Sequence, residues 1–183
     1  MSLPPSFNLL KQYPNPVYVE CGVWRGDSIQ QAIDAGFERI IGFDNDPESI
    51  AFCTQRFGKQ ATGCQPYIKL MECESIEGLK ILLNDPKFKM PMTFFLDAHF
   101  QLIEGTARGA DPFPLLGELY QIGKHSIRTH TIIIDDLLYL THPEITGWTR
   151  DQIVKEIQKI NKKYEFTLVS NPVINNMLVA WIP

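Results

Sequence analysis

The residues best suited to chemistry fall into two groups. The first lies in "VYVECGVWRGDS", residues 17–28, where an apolar run breaks at Glu20 and Gly22 and Gly26 follow closely. An acid at the inner end of a buried apolar segment is costly unless something polar meets it. Glycines just behind it let backbone N–H groups approach a ligand closely, and a helix starting near Ser28 offers its N-terminus to an anion. Asp44 follows 22 positions after Gly22. That spacing suits a carboxylate that ends the next strand and accepts hydrogen bonds from ribose hydroxyls. A small ligand containing a ribose is therefore expected here. The second group is Asp97, His99, Asp135 and Asp136. Carboxylates brought together repel one another unless one is protonated or a cation joins them, and oxygen ligands suit Mg²⁺, Ca²⁺ or Mn²⁺. An imidazole ordinarily suits proton transfer near neutral pH, so His99 is either a general base, a further ligand, or a loop histidine with a structural bond.

These residues need a frame, and the hydrophobic pattern supplies one. Strands are expected at 17–21, 39–43 ("RIIGF"), 65–73 ("QPYIKLMEC"), 92–96 ("MTFFL") and 131–134 ("TIII"). Helices are expected between them: 28–35 closed by Gly36, Asp46 as N-cap of a helix to about 57, 75–83, 115–122 and 150–162. "FTLVS" and "NMLVAWI" end the chain with only "NPVIN" between them, a link that suits a hairpin. Strand–helix units followed by a hairpin predict an α/β fold: a mostly parallel seven-stranded sheet, helices on both faces, and a C-terminal antiparallel hairpin. Residues 1–16, rich in proline, form a short N-terminal extension with one short helix around 7–12, and 17–183 form a single domain. Strands four and five should be neighbours, which sets Asp97 facing the Asp135–Asp136 pair.

Composition narrows the options. The chain has 183 residues, is 44% hydrophobic and 21% charged, and carries a net charge of −4, so a nucleic-acid partner is not expected. The basic run at 155–163 reads as a solvated helix face. Cys21, Cys53, Cys64 and Cys73 have neither zinc nor C-x-x-C spacing, Cys21 reads as a packing residue, and the four thiols fit a reducing cytoplasm. No run of the sequence is apolar enough to predict a membrane span.

The pattern Glu20-x-Gly22-x-x-x-Gly26, Asp44 in "GFDND", Asp97 in "FFLDAH", "IIIDD" and the terminal hairpin together resemble the class I S-adenosylmethionine-dependent methyltransferases over nearly the whole chain. The run "LDAH", "PLLGEL", "IIIDDL" is similar to a group of small bacterial and viral methyltransferase-like proteins. The resemblance implies a Rossmann-like fold and S-adenosylmethionine as cofactor. Glu20 would then meet the methionine amino end, and the loop of Gly22, Val23, Trp24 and Gly26 would pass under the methionine and ribose. Asp44 would take the ribose hydroxyls with Asn45 beside it, and Glu74 and Ser75 would meet adenine. The acids after strands four and five resemble those of metal-dependent O-methyltransferases, including the sugar type. That likeness implies Asp97, Asp135 and Asp136 as metal ligands and a small hydroxylated or saccharide acceptor, with Asp97 and His99 catalytic. His142 would border the acceptor, His125 and His130 are read as incidental, and Trp24 and Trp148 either stack on a ligand or pack. With no helical cap in 1–16, the loops at 98–113 and 137–149 or a second subunit must close the pocket, and a homodimer is expected. The alternatives are a nicotinamide-dependent oxidoreductase, a catalytically inactive nucleotide-binding module, or a metal-dependent hydrolase.

Overall fold

A computed structural model describes residues 4–58, 66–100, 107–171 and 173–183. In chain order the elements are α1 (Phe7–Leu10), β1 (Val17–Cys21), α2 (Asp27–Ala35), β2 (Arg39–Asp44), α3 (Pro47–Gly58), β3 (Tyr67–Glu72) and α4 (Ser75–Asn84). A single 3₁₀ turn (Pro86–Phe88) precedes β4 (Thr93–Leu96), α5 (Leu115–Lys124), β5 (Thr131–Ile134), α6 (Leu137–Leu140), α7 (Arg150–Ile160), β6 (Glu165–Asn171) and β7 (Val173–Trp181). The strands form one sheet in the order β3-β2-β1-β4-β5-β7-β6, and β7 is the one strand that runs against the rest. Strand order therefore reverses at β1, between β2 and β4.

Alternation along the strands divides the core. Val17, Val19 and Cys21 face α4, α5 and α7, whose Leu79, Leu119 and Ile157 are buried against them. Tyr18, Ile40, Phe95 and Ile133 face the opposite layer, where Leu10 of α1, Ile29 and Ala32 of α2, and Phe57 of α3 pack. Every residue of β1, β4 and β5 is buried, as strands covered on both faces should be, whereas β3 alternates because it is an edge. Capping fits the expected boundaries. Asp46 Oδ2 accepts from Ser49 N, and Thr149 and Gln152 form a reciprocal capping box on α7.

Several boundaries differ from expectation. The link "NPVIN" is largely strand, because β6 reaches Asn171 and β7 starts at Val173. The loop after β5 contains the short helix α6, and β2 extends to Asp44 because its register with β3 continues to Glu72. Cys64, Gln65 and the part of the long loop at 101–106 lie outside the described residues. Among the described residues no helix is long and apolar enough to cross a membrane.

His125 and His130 are not incidental. Both are buried, and their rings stack at 5.0 Å. Met92 N donates to His130 Nδ1 at 3.1 Å, so the proton of neutral His130 sits on Nε2 and faces His125 Nδ1 at 2.9 Å. A second proton on either ring would oppose an N–H. Burial, then the neighbouring imidazole, pushes His130 down to about 3, and burial lowers His125. A depressed folded value means the contribution is complete above the ordinary value of 6.5 and is lost as pH falls below it. Buried carboxyls raised elsewhere in the fold pull the other way, so the clean measurement is a difference. The stability advantage of the wild type over His130→Asn, measured by urea unfolding, should shrink by up to about 1.4 kcal/mol per pH unit from 6.5 toward 5. An advantage that is constant over that range would contradict the pairing.

Candidate active site

The loops that leave the carboxyl ends of β1, β2, β3 and β4 meet where strand order reverses, the usual place for a ligand in an open α/β sheet. They enclose a cleft with about 1300 Å³ of atom-free space, open to solvent. Gly22 has φ +85°, and its N–H donates to the Phe43 carbonyl. A Cβ built on it would stand 2.6 Å from the Asp97 carbonyl oxygen, so only glycine lets this loop lie against the start of the loop after β4. Gly26 has φ +76° and opens α2, with the Phe57 ring 2.6 Å from where its Cβ would be. Between them Trp24 is itself left-handed at φ +39°, held by its N–H donating to Asp44 Oδ2 at 2.9 Å. Asp44 Oδ1 accepts from Asp46 N. Asp44 thus ties the first loop to the second. Burial raises its pKa, opposed by these N–H donors.

Every expected cofactor residue except Glu20 lines the cleft: the glycine loop, Asp44 with Asn45, and Glu74 with Ser75. Glu20 alternates onto the Tyr18 face of the sheet and is fully buried beneath the cleft floor. There Ser28 Oγ, in the first turn of α2, donates to Glu20 Oε1, and Ser28 itself lines the cleft. Burial pushes the Glu20 carboxyl up to about 8, opposed by the hydroxyls of Ser28 and Tyr18. Glu74 Oε1 accepts from Asn45 Nδ2 at 3.4 Å and from Ala110 N at 3.2 Å. The segment entering α5 therefore reaches across to the loop after β3, and Gly109 packs so tightly that a Cβ there would meet the Glu74 carboxylate at 2.5 Å.

The acids gather next to this cleft. Leu96 pairs with Ile134, so Asp97 and Asp135 leave adjacent strands side by side. Asp135 is fully buried, and its Oδ1 accepts from Asp136 N at 2.8 Å. Asp136 adopts φ +49°, and its Oδ2 lies beside the His99 ring. His99 lies between the acids, with Nδ1 3.5 Å from Asp97 Oδ1 and Nε2 3.3 Å from Asp136 Oδ2. Its ring also rests on Tyr139 at 5.5 Å. Among the described residues, Asp97, His99 and Asp136 can each present one ligand atom within 4.8 Å of the others. The set so assembled takes His99 where the sequence pattern set Asp135. Burial, then Asp135 and Asp136, holds the Asp97 carboxyl well above its ordinary value, and a bound cation would relieve that strain.

Some residues belong here that sequence reasoning missed. Asn176 on β7 is buried and donates from Nδ2 to Asp136 Oδ1 at 2.8 Å. Glu118 of α5 is buried, and burial pushes it up to about 7. Its signal was present, since it falls on the apolar stripe Leu115, Leu119, Ile122. His142, by contrast, is exposed and does not line the cleft. Trp24 lines it, Trp148 packs on the core, and Cys21 is a buried packing residue.

Neither a protein-family model nor a curated protein matches the sequence. Solved structures do match. The SAH-bound methyltransferase PaMTH1 of Podospora anserina superposes with a TM-score of 0.63 at 16% identity, covering 97% of this chain and 76% of its own. The O-methyltransferase of Bacillus cereus in complex with SAH gives 0.65 at 12% identity, covering 97% and 78%. A methyltransferase of Geobacter sulfurreducens gives 0.63 at 14%, covering 96% and 75%. The chain therefore has the Rossmann-like fold of the class I S-adenosylmethionine-dependent methyltransferases, the fold that its motifs resemble.

Proposed function

We propose that the protein is an S-adenosylmethionine-dependent methyltransferase that methylates oxygen on a small hydroxylated or saccharide acceptor with the help of a divalent cation. The observation that carries the reading is the sign of the cleft. Asp44, Glu74, Asp97 and Asp111 line it against Arg25. Such a field favours a sulfonium or a metal ion and disfavours the pyrophosphate of a nicotinamide dinucleotide. The fold, whose solved examples include proteins holding SAH, supports the same choice.

S-adenosylmethionine, when bound, supplies an electrophilic methyl group. Gly22 and Gly26 give its methionine end a close approach to the loop backbone, and the Ser28–Glu20 pair lies beneath. Asp44 accepts from the ribose hydroxyls through the lone pairs that its two N–H donors leave, and Glu74 and Ser75 border the adenine. Asp97, His99 and Asp136 would hold the cation, which lowers the pKa of an acceptor hydroxyl. With the cofactor bound, its methyl group would pass to the acceptor oxygen, sulfur keeping the electron pair of the broken carbon–sulfur bond and the hydroxyl proton passing to solvent. Holding the two reactants in line accounts for much of the acceleration. Without a cation, His99 between two carboxylates would take the hydroxyl proton instead.

Calorimetry should show S-adenosylhomocysteine binding and no NAD binding. Gly22→Ala should weaken the former at least about tenfold, from the lost close approach and the left-handed φ. Asp44→Asn should weaken it by about ten- to a hundredfold, one charge-assisted hydrogen bond being worth about 1.5–3 kcal/mol. Folded protein that ignores S-adenosylhomocysteine at millimolar concentration would sink the reading. With hydroxylated acceptors, EDTA or Asp97→Asn should lower methyl transfer by at least about a hundredfold, and Mg²⁺ or Mn²⁺ should restore the EDTA-treated enzyme. Full activity in EDTA that is lost in His99→Gln would assign the step to the imidazole alone.

A further inference from the structure

Asp136 has an unusual task. It must leave the end of β5 with a left-handed backbone (φ +49°, ψ +40°) and present one carboxylate oxygen to His99 and Asp97. Aspartate tolerates that backbone region better than most residues but does not choose it unaided. Its other oxygen, Oδ1, points away, toward β7. There Asn176, 4% exposed, donates from Nδ2 to Asp136 Oδ1 at 2.8 Å. The same amide accepts at Oδ1 from Leu138 N at 3.2 Å, in the first turn of α6. One side chain thus clamps both sides of the turn, the carboxylate at 136 and the backbone at 138.

We propose that Asn176 is a positioning residue that fixes the Asp136 carboxylate for cation binding, with Oδ1 tied to the β7 amide and Oδ2 left as the ligand oxygen. The inference rests on the metal-assisted reading of the acid cluster. Three features argue for it over plain packing. The amide bonds both groups whose orientation the cluster needs, because α6 also carries Tyr139, on whose ring His99 rests. The donor is neutral, so it orders the carboxylate without adding a cation that would compete with the metal; lysine or arginine at 176 would neutralise the ligand. Finally, Asp136 stands beside two other acids, and a carboxylate free to rotate would turn away from them. Groups that orient a metal-bound carboxylate commonly hold about ten- to a hundredfold of the metal affinity.

The test titrates Mn²⁺ into the full chain by calorimetry, with S-adenosylhomocysteine binding measured on the same samples. Asn176→Leu, of similar volume, removes both bonds. Asn176→Ala leaves room for a water that can satisfy Leu138 N and so keeps the turn. Both should lose about ten- to a hundredfold in Mn²⁺ affinity while holding S-adenosylhomocysteine as the wild type does. In an Asp136→Asn background, Asn176→Ala should cost nothing further, because its effect runs through that carboxylate. Wild-type Mn²⁺ affinity in both single variants would overturn the inference and leave the metal reading standing. Losses that add in the double variant would overturn it too. A wild type that takes up no Mn²⁺ would remove the metal reading itself, and this inference with it.

Discussion

The close approach of Gly22 to the Asp97 carbonyl is the contact on which the rest of the site depends. At 2.6 Å there is no room for a side-chain carbon. The missing atom lets the loop after β1 lie on the first residue beyond β4, at the point where strand order reverses. As a result the residues suited to a nucleoside and those suited to a cation share one cleft. Trp24, Asp44 and Asp46 extend the same lock outward, with two backbone N–H groups closing on one carboxylate. A larger residue at 22 would part the two loops, although each would keep its own local structure.

The second organising constraint is the handling of negative charge. The pairs with lysine or arginine lie toward solvent, as in Arg56–Asp27 and Lys159–Glu156, where they contribute little. The carboxyls at the carboxyl end of the sheet are met instead by neutral donors: Ser28 for Glu20, backbone N–H groups for Asp44 and Asp135, and the Asn176 amide for Asp136. Burial, against the pull of their hydrogen-bond donors, raises Glu20 to about 8 and Glu118 to about 7. Neutral donors order these groups but leave the field of the cleft negative, which is a suitable setting for a positively charged guest.

Much of this was legible in the sequence because burial on both faces writes a simple pattern. The all-apolar runs at 17 and 131 gave strand limits that agree with the structure, and strand alternation then fixed which face each residue takes. The glycine loop and Asp44 were expected at the cleft from their spacing and Glu74 from the family resemblance, and all of them line it. What stayed hidden depends on neighbours distant in sequence. Nothing local marks Asn176, whose partner lies 40 residues away. The two histidines at 125 and 130 looked like turn residues because their burial is set by Phe94 and Met92 of another strand. Strand parity turns Glu20 under α2, where it pairs with Ser28 at the cleft. Asp135 and Asp136 could not be ranked until the left-handed turn at 136 was visible.

The reversed direction of β7 has a consequence for handling the molecule. Because Leu178 pairs with Ile134 and Ala180 with Ile132, β7 begins on the cleft side of the sheet and travels away from it. It finishes at the rim where Trp181 meets Tyr13 and Asn15 bonds the threonines that open β4 and β5. The end of β7 at Trp181 thus lies on the far side of the sheet, a strand's length from the cleft. An insertion at the start of that same strand would strike the cleft side directly.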